Sequence, residues 1–400
     1  MSHIALLKST LGANEGIVRL APCWVPRSFL MPGGRLKLDP RDLYALGAHR
    51  GGIDERWFSS TTNAANGPGT PADEGLSYID LPGGKRMLLK EAVETIGDEF
   101  LGADVMRERG GWNVLCKFFD NLGPIPHHMH QSEEHAKLVG QRGKPEAYYF
   151  PPQYNFTGNH FPYTFMGLEP GTTKDDVRRC LERWNKGDNG ILYHSKAYKL
   201  QPGTGWQIDA GILHAPGSLV TYEPQVNSDV FAMFQSMVEG RAVPWDLLVK
   251  DVPPERHQDL DFIIGMLDWD ANVDPEFGKH RKFYPKPVRA EVEMRDGGYS
   301  EKWVVYSTGH YSAKELTVRP GRSAVIRDAV AYGAIVTQGW GSVGKLEVET
   351  PSLIRYGQMT KDELFVTADA ARRGITITNR SETEDLVMLK HFGPGNPEAK

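Results

Sequence analysis

The sequence predicts a mostly β fold made of two β units, and three observations support this. Short apolar runs, such as Trp112–Phe119 and Glu146–Phe150, are bounded by Gly, Pro and Asn, as in sandwiches and barrels. In 345–349, Leu346 and Val348 alternate with charged residues, which is the period of a strand with one buried face. The 43 glycines and 27 prolines also favour many tight turns. We therefore expect the all-β class with small helical insertions.

The chain is expected to contain four segments. They are an N-terminal irregular or helical segment at 1–100 that packs on the first unit, a catalytic β unit at 101–240 with a helical insertion at 172–187, a partly helical linker at 241–290, and a second β unit at 291–400. Residues 1–60 are rich in Pro and Gly and are predicted to be irregular. A helix is predicted from Met87 to Ile96 with Gly97 as its stop, and Thr173 is the predicted N-cap of the insertion.

Composition disfavours several classes of protein. The formal charge is −5 and no basic stripe occurs, so we expect no nucleic-acid partner. No run of about 18 apolar residues is present, so no membrane span is expected. Cys23, Cys116 and Cys180 are odd in number and far apart, which is not the pattern of a disulfide framework. The simplest expectation is a cytoplasmic protein.

The most informative segment carries two histidines two positions apart, His128 and His130. On a strand, residues i and i+2 point to the same side, so both imidazoles can face one interior. Neutral imidazole is a good ligand for zinc, manganese, iron or nickel. His127 has the opposite parity and is expected to point away.

Two further residues complete a candidate site for one divalent metal ion. Glu146 opens an apolar strand, where its charge is costly unless a cation compensates it. His214 lies between turn residues on a later apolar run. Three His and one Glu suit a catalytic metal with open positions rather than a closed thiolate site. The alternative ligands lie in a polar stretch that looks like a solvated loop: Glu133, Glu134 and His135.

The other histidines are expected to be ordinary hydrogen-bonded surface or core residues: His3, His49, His160, His194, His257, His280, His310 and His391.

Several segments together resemble the type I phosphomannose isomerases, a family of the cupin superfamily. They are IDERWFSS (53–60), VLCKFFDN (114–121), HHMHQSEEHAK (127–137), GKPE (143–146), DAGILHAPG (209–217), and Glu223 followed by NSD (227–229). The resemblance covers most of 50–235 and is weaker beyond. It implies a double cupin, that is, two β-barrel or jelly-roll units, the second of them degenerate.

The resemblance also implies a set of metal ligands, and this sequence differs from the family at two positions. The family binds zinc through Gln, His, Glu and His, which correspond here to His128, His130, Glu146 and His214. At the first of these four positions this sequence has His128 instead of Gln. This makes the ligand set similar to that of cupins that prefer manganese or iron, although zinc remains the first expectation. Met233 stands where the family has an arginine. Because arginine suits phosphate recognition, its loss indicates a different, unphosphorylated sugar.

The implied function is a metal-dependent aldose–ketose isomerase of the mannose-6-phosphate isomerase type, acting on a sugar or sugar phosphate through an enediol. Glu223 is the candidate base, Lys144 is the candidate to steady the substrate oxygens, and Tyr148 has the parity to line the pocket. Two alternatives are a cupin oxygenase, since the same ligands can hold Fe(II), and a sugar-binding cupin without chemistry.

Overall fold

The computed structural model describes residues 2–155 and 162–399, and it is mostly β. The strands are β1 Ile17–Arg19, β2 Cys23–Arg27, β3 Gly52–Phe58, β4 Tyr78–Leu81, β5 Lys85–Leu88, β6 Val114–Phe119, β7 His128–Met129, β8 Glu146–Tyr149, β9 Tyr163–Met166, β10 Lys196–Lys199, β11 Gly205–Ile208, β12 His214–Ala215, β13 Thr221–Val226, β14 Ala232–Met233, β15 Met237–Val238, β16 Arg241–Ala242, β17 Lys282–Phe283, β18 Lys286–Pro287, β19 Tyr299–Val305, β20 Ser312–Val318, β21 Ser323–Ile326, β22 Tyr332–Gln338, β23 Trp340–Val343, β24 Leu346–Glu349, β25 Glu363–Val366, β26 Ile375–Asn379 and β27 Leu386–Phe392.

Helices lie between these strands. The α-helices are α1 His3–Ala13, α2 Leu89–Leu101, α3 Ala103–Arg109, α4 Glu133–Lys137, α5 Lys174–Glu182, α6 Trp245–Val249, α7 Leu260–Gly265, α8 Trp269–Asn272, α9 Phe277–Arg281, α10 Glu291–Asp296 and α11 Ala368–Arg373. Short 3-10 helices are Pro40–Asp42, Ala48–Arg50, Pro152–Tyr154, Ile191–His194 and Pro254–Arg256. Among the described residues no helix combines the length and the apolarity needed to cross a bilayer.

The strands pair antiparallel in larger and smaller sheets, which confirms the mostly β prediction. The larger sheets have the orders β17-β11-β8-β13-β6-β3-β2, β10-β9-β12-β7-β14, β1-β25-β22-β27-β20-β19-β18 and β21-β26-β23-β24. Helices make up 24% of the described residues, which is more than small insertions, so the all-β expectation is too narrow. The four-segment division and the closure of the sheets into two barrels stay predictions.

Two of these sheets face each other in the N-terminal half. The five-stranded sheet carries β7 and β12, and the first seven-stranded sheet carries β8 and β13. Side chains cross between them, since the His130 imidazole lies 2.9 Å from the Glu146 carboxylate. Every residue of β6, β8 and β13 is buried. Polar side chains on these strands are therefore held in an enclosed space.

The prediction that residues 1–60 are irregular is wrong. This stretch contains α1 and the strands β1, β2 and β3. Strand β1 pairs with β25, far away in the sequence, and β2 and β3 complete one edge of the first seven-stranded sheet. Pairing with distant strands supplies the backbone hydrogen bonds here, and that contribution is invisible in a local pattern of Pro and Gly.

The predicted stop at Gly97 is only partly right, because the helical backbone breaks at Ile96 but resumes and α2 continues to Leu101. Gly97 serves close packing instead. A Cβ at this position would lie 2.5 Å from the end of the Met106 side chain on α3. By contrast, the N-cap at Thr173 is confirmed, and Asp176 closes a reciprocal capping box with it.

A cluster of buried charges fills the interior face of the C-terminal sheet. Asp328 lies 2.7 Å from both Lys314 and Lys390, and Lys390 lies 2.5 Å from Glu301. Lys314 also stands 4.4 Å above the ring of Trp303. Each ammonium is thus neutralised by a carboxylate and covered by aromatic surface, which offsets the cost of burying it.

Replacing Asp328 by asparagine should destabilise the protein strongly. Both lysines would lose a charge partner in a dry interior, and breaking a buried pair in this way costs about 3–5 kcal/mol. Urea unfolding measures the effect. The matched control is Glu347→Gln, which breaks the exposed contact with Lys361 (3.1 Å) and should leave the unfolding midpoint unchanged. Equal midpoints for both variants would contradict the prediction.

Candidate metal centre

Three histidine side chains meet between the two facing sheets. His128 and His214 are direct partners on the adjacent strands β7 and β12, and their ring centroids lie 4.1 Å apart. His130 follows just after β7, with its ring 5.2 Å from that of His128 and 5.1 Å from that of His214. One ligand nitrogen from each ring can be chosen so that all three lie within 4.8 Å of one another. A single ion can contact all three rings.

Backbone hydrogen bonds orient each of these rings in the same way. The Nδ1 atoms of His128, His130 and His214 lie 2.7, 2.7 and 2.9 Å from the carbonyl oxygens of Pro126, Val230 and Ile212. A carbonyl only accepts hydrogen bonds, so each Nδ1 must carry the proton. The three Nε2 atoms then carry lone pairs, as metal ligation requires, and that of His130 lies 3.2 Å from the Lys144 ammonium.

The carboxylate of Glu146 reaches the same point from β8. Its two oxygens lie 2.9 Å from Nε2 of His130 and 3.2 Å from Nε2 of His214. Nε2 of His214 is buried without a hydrogen-bond partner, whereas Oε2 of Glu146 lies 3.1 Å from the Lys144 ammonium. The lone pair of His214 faces the carboxylate at a distance that is repulsive without a cation between them, so a divalent metal fits this arrangement.

The electrostatic surroundings favour the forms that bind a metal. Burial lowers the pKa of His130 to about 4 and also lowers that of His128, so both rings are neutral at pH 7. Burial disfavours the charged form of Glu146, yet His130 and Lys144 hold the pKa of this carboxyl well below its usual range. The set therefore presents neutral imidazoles and an ionised carboxylate.

The alternative ligands lie elsewhere. The predicted solvated loop is the helix α4, capped by Ser132. Glu133 accepts from the Gly143 backbone, and His135 bonds Ser132. Among the described residues that line the central pocket, Glu133, Glu134 and His135 are absent, and so is His127.

A pocket of about 470 Å³, including its open mouth, adjoins the histidines. One side of it is apolar. That wall consists of Phe29, Leu30, Phe119, Ile125, Phe231 and Met233. Met233 pairs with His128 in the sheet, so a thioether lies beside the candidate metal position.

The other side of the pocket is a chain of ion pairs. Lys144 lies 3.1 Å from Glu146 and 4.0 Å from Glu223, and Lys117 lies 3.3 Å from Glu223 and 3.2 Å from Glu55. All five side chains are at least nine-tenths buried. Lys144 is therefore no exposed turn lysine, and Glu223 is no surface glutamate.

Glu223 stands out within this chain. Burial and the nearby charge of Glu146 raise the pKa of its carboxyl to about 8, while Lys117 and Lys144 oppose the rise. Its Oε1 has no hydrogen-bond partner. A carboxyl that titrates near neutral pH inside a pocket is suited to accept and return protons.

Tyr148 lines the pocket, as its parity predicted, but its hydroxyl donates to Glu146 at 2.6 Å. It therefore orients the carboxylate, and a contact between this hydroxyl and a substrate stays a prediction. Of the remaining histidines, His391 is a buried core residue bonded to Tyr222 at 2.9 Å, and His160 lies outside the described residues.

Sequence reasoning missed Arg27 and Glu55, both of which line the pocket. Arg27 ends β2, inside the stretch that was predicted to be irregular, and Glu55 lies in β3. The available signal was the presence of charged residues in short runs that also carry Trp, Val, Ile and Phe, namely CWVPR and GIDERWF. Because charged residues are almost never fully buried without a partner, such runs indicate buried ion pairs.

Solved structures share this fold. The mannose 6-phosphate isomerase from Bacillus subtilis matches with a TM-score of 0.61 at 17% identity, over 94% of this chain and 99% of that one. A variant of the phosphomannose isomerase from Salmonella typhimurium matches with a TM-score of 0.61 at 12% identity, over 95% and 100%. A zinc-bound mannose 6-phosphate isomerase matches with a TM-score of 0.59 at 12% identity, over 95% and 100%. The resemblance seen in the sequence is thus confirmed at the level of the fold.

No protein-family model matches the sequence, and no curated protein matches it.

Metal analysis of the purified protein tests the ligand set. Glu146→Gln should lose most of the bound metal and most of the turnover, because an amide has no charge to offset that of a buried cation. Glu134→Gln is the matched control on the exposed face of α4 and should keep its metal. Full metal content and activity in Glu146→Gln would show that the ligand assignment is wrong.

Proposed function

We propose that this protein is a metal-dependent aldose–ketose isomerase of the mannose-6-phosphate isomerase type, acting on a sugar through an enediol. His128, His130, Glu146 and His214 would hold one divalent ion, with zinc the first expectation and manganese or iron also compatible. The observation that carries the proposal is the convergence of these four side chains beside the pocket that the buried Glu223 lines. We further propose that the sheets form two cupin units.

Isomerisation between an aldose and a ketose moves one proton between C1 and C2 and one hydroxyl proton between O2 and O1. A bound divalent ion supplies Lewis-acid polarisation of the substrate carbonyl. Glu223 would take the proton from one carbon and return it to the other, because its raised pKa lets it do both near neutral pH. Lys144, 4.0 Å from Glu223, would donate hydrogen bonds to the substrate oxygens.

The residues of the pocket also favour a catalytic function over simple sugar binding. A sugar-binding site needs hydrogen bonds, but it does not need a carboxyl with a raised pKa beside a set of metal ligands. An oxygenase would use the same four ligands, yet it would have no evident use for Glu223. One experiment distinguishes the isomerase, the oxygenase and the sugar-binding protein: exchange of sugar protons with solvent in the absence of oxygen.

We expect the metal-loaded protein to exchange deuterium into C1 or C2 of an aldose or ketose in anaerobic D2O, followed by NMR. Glu223→Gln should slow this exchange by about 100- to 10,000-fold while it keeps the metal, since it removes the proton carrier alone. Glu134→Gln should exchange at the normal rate. Oxygen uptake without exchange would favour an oxygenase, and binding without exchange would favour a sugar-binding protein.

The pH dependence of kcat/KM follows from the same residue. The base form of Glu223 is the ionised one, so the rate should rise with pH as this carboxyl loses its proton. Glu146 raises its pKa, Lys117 and Lys144 lower it, and a divalent ion would lower it further. The midpoint should therefore lie between 4.5 and about 8. Glu223→Asp should retain a rising limb, and an unchanged profile in Glu223→Gln would contradict the assignment.

A further inference from the structure

The guanidinium in the pocket is already fully engaged. Arg27 donates from both terminal nitrogens to Asp229, at 3.1 Å each, and from one of them to Glu55 at 3.2 Å. Its other terminal nitrogen also donates to Asn66 at 2.9 Å. The arginine is almost completely buried, so it cannot swing out to meet another anion without leaving two carboxylates unpaired.

The two lysines of the pocket are also engaged by carboxylates. Lys117 lies between Glu55 and Glu223, and Lys144 lies between Glu146 and Glu223. Before the proposed divalent ion is counted, the described ionisable wall has one more carboxylate than it has lysines and arginines. The carboxylates are Glu55, Glu146, Glu223 and Asp229, and the cations are Arg27, Lys117 and Lys144.

An outer cavity shares Phe29 and Phe231 with the pocket, and its cations are paired as well. Arg50 makes two hydrogen bonds to Glu74, at 2.7 and 2.9 Å. Lys250 lies 3.3 Å from Asp251 and donates to the carbonyl of Asp229 at 3.0 Å. The far end of a sugar held by its carbonyl near the histidines would point toward this side.

We propose that the substrate is a neutral, unphosphorylated sugar, an inference that rests on the proposed isomerase function. A phosphate ester carries nearly two negative charges near pH 7 and requires donors that are not already neutralised. The described arginines and lysines of the pocket and of the outer cavity are each bound to a carboxylate. Hydroxyl groups, by contrast, can share hydrogen bonds with ion pairs without separating them.

The apolar wall completes this match. Phe119, Ile125 and Met233 line the pocket beside the polar chain, and the Lys117 ammonium lies 5.9 Å from the Phe119 ring. Sugars present C–H faces as well as hydroxyl edges, so one side can pack on apolar surface while the other side bonds to the charged chain. The thioether of Met233 offers a phosphate no donor.

The test uses the full-length, metal-loaded protein with two matched pairs of compounds. D-mannose and D-fructose are compared with their 6-phosphates, both for binding by titration calorimetry and for exchange by NMR. We expect kcat/KM and affinity to be at least about 10-fold higher for the neutral sugars. Inorganic phosphate at the same concentration should not compete with them.

Each other outcome has a distinct meaning. Preference for the 6-phosphates, or binding of neither class, overturns this inference. Binding of neutral sugars without exchange overturns the proposed isomerase function while leaving the substrate class intact. Exchange on the 6-phosphates alone supports the isomerase and refutes the neutral substrate.

A charge variant provides a second measurement. Met233→Arg adds an unpaired guanidinium to the apolar wall and should shift the preference toward the 6-phosphates by about 10-fold or more. The control Val292→Arg adds the same charge on the exposed surface of α10 and should leave the preference unchanged. A Met233→Arg protein that folds, binds metal and keeps the original preference would contradict the role assigned to charge.

Discussion

The structure of the site depends on one electrostatic constraint: charges buried between two sheets must neutralise one another. A continuous chain of ion pairs runs from Asp229 through Arg27, Glu55 and Lys117 to Glu223, and on through Lys144 to Glu146. Any of these groups alone would be too costly to bury. The chain ends where Glu146 meets the imidazoles, and there Nε2 of His214 is left without a hydrogen-bond partner. A divalent ion is what that end of the chain accommodates.

The same constraint is met differently in the two halves of the molecule. The C-terminal sheet also buries charges, but there Asp328 neutralises two lysines that are covered by aromatic rings. That cluster is satisfied within itself, and among the described residues the histidine group with metal-ligand spacing lies only in the N-terminal half. The N-terminal half thus offers three converging imidazoles, whereas the buried charges of the C-terminal cluster neutralise one another.

Contacts between the halves stabilise the wall of the pocket. Arg56 on β3 donates to both Asp362 and Glu363 across the boundary, and Tyr149 on β8 donates to Glu315 at 2.9 Å. Strands β3 and β8 also carry Glu55 and Glu146 into the pocket. The C-terminal sheets therefore hold the strands that present the pocket charges, although they contribute none of the residues lining it.

The sequence by itself determined the mostly β class, the histidine pair at 128 and 130, and the distant Glu146 and His214, because strand parity and the cost of a charge in an apolar run are local properties. Only the tertiary structure decided that the three Nε2 atoms face one another, because their orientation comes from carbonyls as distant as that of Val230. Arg27 came from a segment with no strand signal. Its place was decided by β2 pairing with β3, and its partner Asp229 lies about two hundred residues away. Long-range pairing of this kind leaves no trace in a local pattern.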